Sequence, residues 1–101
     1  MLTVSWRGYP FGVYFKNTDW NEVGGVYIFC GLNPQKLWVP LYIGQADSFR
    51  SRIPSHVQWL PAVRLGATHV HAMVAPLASQ RDIIEAQLIQ AFQPALNVQL
   101  K

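Results

Sequence analysis

The sequence predicts an α+β domain, a small antiparallel or mixed three-stranded sheet with flanking helices, extended by an N-terminal β-hairpin. Three observations predict it. Short runs near residues 2–15, 24–44 and 68–75 alternate apolar with polar residues or are continuously apolar between turn formers, as strands do. One longer run, from Ser79 to Gln93, carries helical spacing. The 101 residues hold no repeat, no low-complexity tract and no linker-like stretch, so a single domain over 1–101 is expected, with 1–23 as the hairpin extension and 24–98 as the core.

The first element alternates through Leu2, Val4 and Trp6, then through Phe11, Val13 and Phe15, around a break at Gly8-Tyr9-Pro10. A polar stretch from Lys16 to Glu22 leads to the apolar strand Gly24 to Cys30. Gly31 to Lys36 supplies turn chemistry, and Leu37 to Gly44 forms the next strand, with Pro40 marking an edge or a bulge. A hairpin symmetric about Pro34 and Gln35 sets Tyr27 directly across from Tyr42. A bulge at Pro40 shifts that pairing by one.

Asp47 or Ser48 caps a short helix carrying Phe49, Arg50 and Arg52. A new helical segment is expected to begin between Ser51 and Ser55, with Pro54 in its first turn, which stacks Arg52 and His56 on one face. Thr68 to Ala75 alternates again as a third strand. In the last helix Ser79 is the expected cap, with Asp82 completing an S-x-x-D box, and Pro94 ends it.

At 100° per residue, Ile84, Leu88, Ile89 and Phe92 form one apolar arc, and Glu85 falls inside it. A carboxylate on a buried face costs several kcal/mol unless it is paired or binds a cation. The plain alternative is an ion pair with Arg81, one turn earlier.

Composition narrows the function classes. Half the residues are hydrophobic and only 13% are charged, against roughly 25% in an average domain, which excludes disorder. Either a partner covers some apolar surface or the four Trp residues are core. No apolar run approaches the roughly 18 residues of a membrane span, and no signal-peptide pattern opens the chain. Cys30 is the single cysteine, so no internal disulfide forms, and a cytoplasmic setting is expected. The charge of +3 and pI of 9.4 are compatible with an anionic partner such as nucleic acid.

Gly25-Val26-Tyr27, Tyr42-Ile43-Gly44, Arg52, His56, Glu85 and Asn97 occur in that order, with Arg52 ten residues after Tyr42 and His56 four further on. Over residues 24–98 this pattern resembles the GIY-YIG nuclease superfamily. The resemblance implies metal-assisted hydrolysis of a phosphodiester, usually in DNA, with RNA left open. Glu85 would hold one Mg²⁺, or Mn²⁺ in its place, and an oxygen ligand suits such a hard cation. Tyr27 would be the general base for the attacking water, although a phenol of pKa about 10 is only about 1% ionised at pH 8. Arg52 would favour the phenolate and bind nonbridging phosphate oxygens.

By the same resemblance His56 is base, relay or donor. Tyr42 would position water or phosphate, and Asn97 would hold a loop or side chain in place. Gly44, Arg50 and Arg64 are the remaining candidates for contact with nucleic acid. Pro54, between Arg52 and His56, departs from the expected local helix.

Other features carry plainer readings. His69 and His71 lie two apart on a strand, a spacing zinc can use, but no third ligand is evident. Cys30 has no adjacent base that would make it a nucleophile. Two further classes of function stand beside the nuclease: a catalytically silent nucleic-acid-binding module of the same fold, and an interaction protein. The chain has no room for a separate recognition domain. Specificity is therefore expected from the hairpin, from Lys16, Arg7 and Arg64, from a homodimer built on exposed Trp38 and Trp59, or from a partner protein.

Overall fold

A computed structural model describes residues 2–98; Met1 and 99–101, the ends of the expected domain, lie outside the described residues. The elements run β1 (Thr3–Trp6), β2 (Tyr9–Tyr14), β3 (Gly25–Leu32), β4 (Trp38–Ala46), α1 (Phe49–Arg52), α2 (Trp59–Arg64), β5 (Ala67–Val74), α3 (Ala78–Phe92) and α4 (Ala95–Val98). The sheet has five strands in the order β1-β2-β5-β3-β4, and every pair is antiparallel. The expected three strands and the hairpin are thus one sheet, joined where β2 pairs with β5.

The hairpin turn is tighter than expected. Arg7 and Gly8 both take positive φ, as a two-residue turn that follows the strand twist requires, so Tyr9 and Pro10 belong to β2. β3 lies inside the sheet between β5 and β4, buried from Gly25 to Gly31, and its alternate side chains feed two cores. Tyr27 and Phe29 point to one face with Phe49, Ile53, Val70 and Leu96. Val26, Ile28 and Cys30 point to the other, under Ile84 and Leu88 of α3.

The β3–β4 register corrects the expected pairing. Tyr27 stands opposite Gly44, and Tyr42 opposite Phe29. The turn centres on Gln35, so Leu32 pairs with Trp38, and a bulge beside Pro40 leaves Leu41 without a cross-strand partner. Each effect slips the register by one. Two slips restore the face, because side chains alternate with period two, and both tyrosines still project on the same side.

Pro54 follows the end of α1 and does not open a helix; Ile53 before it still has helical dihedrals as the C-cap, and the proline has no N–H to carry the α1 ladder further. Residues 53–58 belong to no helix, so Arg52 and His56 are not stacked on one helical face. Ser48 is the cap of α1, its hydroxyl accepting from the Ser51 amide.

In α3 the expected Ser79 cap is absent. The helix opens at Ala78 after Leu77, with no side-chain cap. Ser79 lies inside the first turn and so cannot be the cap, and the Asp82 carboxylate accepts from Gln45 Nε2 across the chain. Arg81 does not pair with Glu85. It is buried, and its Nη1 donates to the carbonyls of Ala75 (3.0 Å) and Pro76 (2.8 Å) at the end of β5.

Candidate active site

The face carrying Tyr27 and Tyr42 receives His56 from the 53–58 turn. Tyr27 Oη and His56 Nε2 are 2.6 Å apart, and the Tyr42 and His56 rings meet edge to face at 5.2 Å. Two glycines make this approach possible. A Cβ on Gly44 would lie 2.6 Å from the Tyr27 hydroxyl, so the residue opposite Tyr27 must have no side chain. A Cβ on Gly25 would strike the Met73 carbonyl of β5 and the Phe49 ring. Both short motifs therefore begin or end on a glycine for packing reasons.

His56 is half-buried and its other nitrogen is occupied: Nδ1 accepts from the Gln58 amide at 3.0 Å. A neutral imidazole that accepts at Nδ1 carries its proton on Nε2, so Nε2–H donates to the Tyr27 oxygen. Burial lowers the His56 pKa from its ordinary value, and the charges of Arg52 and Lys16 lower it further. Burial raises the Tyr27 pKa, Tyr42 and Glu85 add to that rise, and the charge and hydrogen bond of Arg52 oppose it. Tyr42 is raised by burial and by Glu85, and again opposed by Arg52.

A cleft of about 340 Å³ opens beside these groups, lined by Tyr42, Arg52, His56 and Gln58 with the hydroxyls of Ser51 and Ser55. Arg52 is exposed and lines the cleft, with a hydrogen bond toward Tyr27 behind it. Lys16 reaches the same neighbourhood from the loop after β2, its ammonium donating to the Pro54 carbonyl. Arg50 is tied to that loop through Nε to the Trp20 carbonyl (2.8 Å), with Asp19 4.0 Å from its outer nitrogen. Arg64 is exposed at the C-terminal end of α2 and does not line the cleft.

Glu85 projects from α3, half-buried, and accepts from Gln45 Nε2 at 2.9 Å. Asn97 forms a two-way bridge to the outer edge of β4, with Nδ2 donating to Ile43 O and Oδ1 accepting from Ile43 N, each at 2.8 Å. This closes the sheet edge between Tyr42 and Gly44. Gln45, Asp82, Ser51 and Ser55 were not expected at the site. A polar Gln45 at an inward-facing strand position was the one readable signal.

The remaining candidates fall outside the site. His69 and His71 do share a face, but it is the α3 face, opposite Tyr27. The His71 Nδ1 is taken by Trp6 Nε1–H at 2.9 Å, and both rings pack on Trp38. No group of three metal-ligating side chains occurs among the described residues. Trp38 and Trp59 are half-buried, Trp59 against Phe29, and are not the exposed surface expected for dimerisation. Cys30 is a buried free thiol whose pKa burial raises. Among the described residues no helix is long and apolar enough to cross a membrane.

Together the antiparallel sheet, its flanking helices and a cleft lined by Tyr42, Arg52 and His56, with the buried Tyr27 hydroxyl behind His56, define a small α+β nuclease domain. Solved structures of the GIY-YIG N-terminal endonuclease domain of UvrC from Thermotoga maritima superpose on it. The magnesium-bound form gives a TM-score of 0.61 at 30% identity, covering 75% of this chain and 84% of that one. A point mutant bound to its catalytic divalent cation gives 0.61 at 27% identity, covering 75% and 83%. The UvrABC system protein C of the same organism is 34% identical over 84 residues, which are 79% of this chain and 14% of that protein. The chain thus spans only a small part of that curated relative. No family model matches. The chain belongs to the GIY-YIG endonuclease domain family.

Proposed function

We propose that this chain hydrolyses DNA phosphodiester bonds with one divalent cation, using Tyr27 to take the proton of the attacking water. The observation that carries the reading is the 2.6 Å contact between Tyr27 Oη and His56 Nε2, beside a cleft that presents Arg52. Because His56 donates to that oxygen, it favours the phenolate and leaves a lone pair for the water proton. His56 is not the base, since its Nε2 already carries a hydrogen.

In the step itself an O–H bond of water breaks and its proton goes to the Tyr27 phenolate, while the water oxygen bonds to phosphorus, the P–O bond to the leaving oxygen breaks, and that oxygen takes a proton from bulk water. Arg52 binds nonbridging oxygens and offsets the added charge. Tyr42 positions water or phosphate by its hydroxyl, and Asn97 holds β4 so that Tyr42 and Gly44 keep their places.

Glu85 fits a magnesium ion. It is a partly accessible carboxylate with no basic partner, and its oxygens are hard donors. When bound, the ion neutralises charge on the scissile phosphate and leaving oxygen. Mn²⁺ is expected to substitute. The whole chain acts as one catalytic unit, in the cytoplasm, with Lys16 and Arg50 beside the cleft for phosphate contact. Recognition beyond phosphates is assigned to a partner protein or a second copy.

The test is cleavage of supercoiled plasmid by wild type and Glu85→Ala with EDTA or Mg²⁺. Nicking by wild type only with Mg²⁺, and by the variant under neither condition, is the expected result. Equal cutting by both proteins would overturn the metal assignment. An RNA of comparable length in the same assay distinguishes the two nucleic acids.

A further inference from the structure

We propose that Gln45 is a positioning residue for the Glu85 carboxylate, anchored in turn by Asp82; the inference rests on the metal-dependent reading above. Gln45 follows Gly44 on β4 and pairs with Val26, so its side chain leaves the sheet toward α3. There its Nε2 donates to Asp82 Oδ1 at 2.7 Å and to Glu85 Oε1 at 2.9 Å. Both partners are carboxylates, which only accept when ionised. The amide therefore has one orientation, with both hydrogens spent on α3.

Asp82 and Glu85 are three residues apart, so they stand on the same helical face, where like charges repel. A single NH₂ group between them offsets that repulsion and holds each carboxylate by one oxygen. The second oxygen of Glu85 is left for a cation. A glutamate arm with several rotamers is thereby fixed in one of them before any ion arrives. Asp82 fixes the amide itself, because without it Gln45 could follow Glu85 through its rotamers. No basic side chain does this work, as Arg81 is committed to the Ala75 and Pro76 carbonyls. An amide is suited to it. It orients a carboxylate without contributing a positive charge that would compete with the metal.

Partners of this kind change metal affinity by about 10- to 100-fold when removed. The experiment measures Mn²⁺ binding to the whole chain without DNA, by the loss of the free-ion EPR signal, alongside the Mg²⁺ dependence of plasmid cleavage. Gln45→Ala is expected to weaken Mn²⁺ binding about tenfold or more and to raise the half-saturating Mg²⁺ by the same factor. The cleavage rate at saturating Mg²⁺ should return to within a few-fold of wild type. Gln45→Met keeps the shape without the donors and should match it, which separates lost hydrogen bonds from misfolding. Asp82→Ala should weaken binding less, and should add nothing in the Gln45→Ala background.

Wild-type Mn²⁺ affinity in both Gln45 variants would overturn the inference while leaving the nuclease reading intact. Additive effects of Gln45→Ala and Asp82→Ala would overturn the anchoring by Asp82. If wild type and Glu85→Ala bind Mn²⁺ equally, Glu85 is not the ligand, and that result overturns the reading and the positioning role with it.

Discussion

Tyr27 lies over Gly44: the two residues are cross-strand partners, and the hydroxyl of one occupies the space a Cβ on the other would fill. Gly44→Ala should therefore displace the Tyr27 ring and break its contact with His56. The expected outcome is a cleavage rate lowered about 100-fold or more, at a stability loss of about 1–3 kcal/mol. Single-turnover cleavage and urea denaturation of the same preparation check both halves.

The rate should rise with pH. Burial holds the Tyr27 phenol above its ordinary value, so the phenolate fraction is small at neutrality and increases tenfold per pH unit. The logarithm of the Mg²⁺-dependent rate is expected to climb with a slope of about 1 from pH 7 to 9. His56 adds no break in that range, because its pKa is lowered and it is already neutral. A flat profile measured under single-turnover conditions would count against a phenolate base.

His71 makes a separate prediction about stability. It is fully buried, its Nε2 has no hydrogen-bond partner, and burial lowers its pKa from 6.5 to about 4. The unfolded chain binds a proton near pH 6.5 while the folded chain does not until about pH 4. Stability is thus complete above 6.5 and declines as pH falls toward 4, by up to about 3 kcal/mol from this group. Urea denaturation at pH 7 and 4.5 should show the loss in wild type, with a smaller difference in His71→Gln.

Asn97→Ala should expose the edge of β4. The side chain satisfies both backbone groups of Ile43, and removing it leaves a partly buried N–H and C=O to water or to nothing. A destabilisation of about 1–3 kcal/mol follows. Faster amide exchange at Ile43, measured by hydrogen exchange, should accompany it together with a reduced cleavage rate.

Much of the fold was legible because strands advertise themselves by alternation, and Pro40 marked both the edge strand and its bulge. The pairing of Tyr27 with Tyr42 was not, because turn length and bulge each move the register by one and neither is set by pattern alone. The helical stacking of Arg52 and His56 failed at Pro54, which has no N–H to carry the α1 ladder further. The Ser79 cap failed because α3 opens one residue earlier, at Ala78, which leaves Ser79 inside the helix. Tyr27, Tyr42 and His56 were legible as a set, and the structure brings them together. Gln45 was missed: its polar side chain at an inward-facing strand position was a signal, but its partners Asp82 and Glu85 follow only once α3 is packed against it.

In the proposed reaction the Tyr27 phenolate takes the proton of the attacking water. The most direct measurement is the single-turnover rate of plasmid cleavage in saturating Mg²⁺ for wild type and Tyr27→Phe, with Mn²⁺ binding and thermal unfolding recorded on both. The expected variant folds and binds the ion as wild type does, yet cleaves about 100- to 10,000-fold more slowly. A folded Tyr27→Phe that cleaves at the wild-type rate would contradict the phenolate's role.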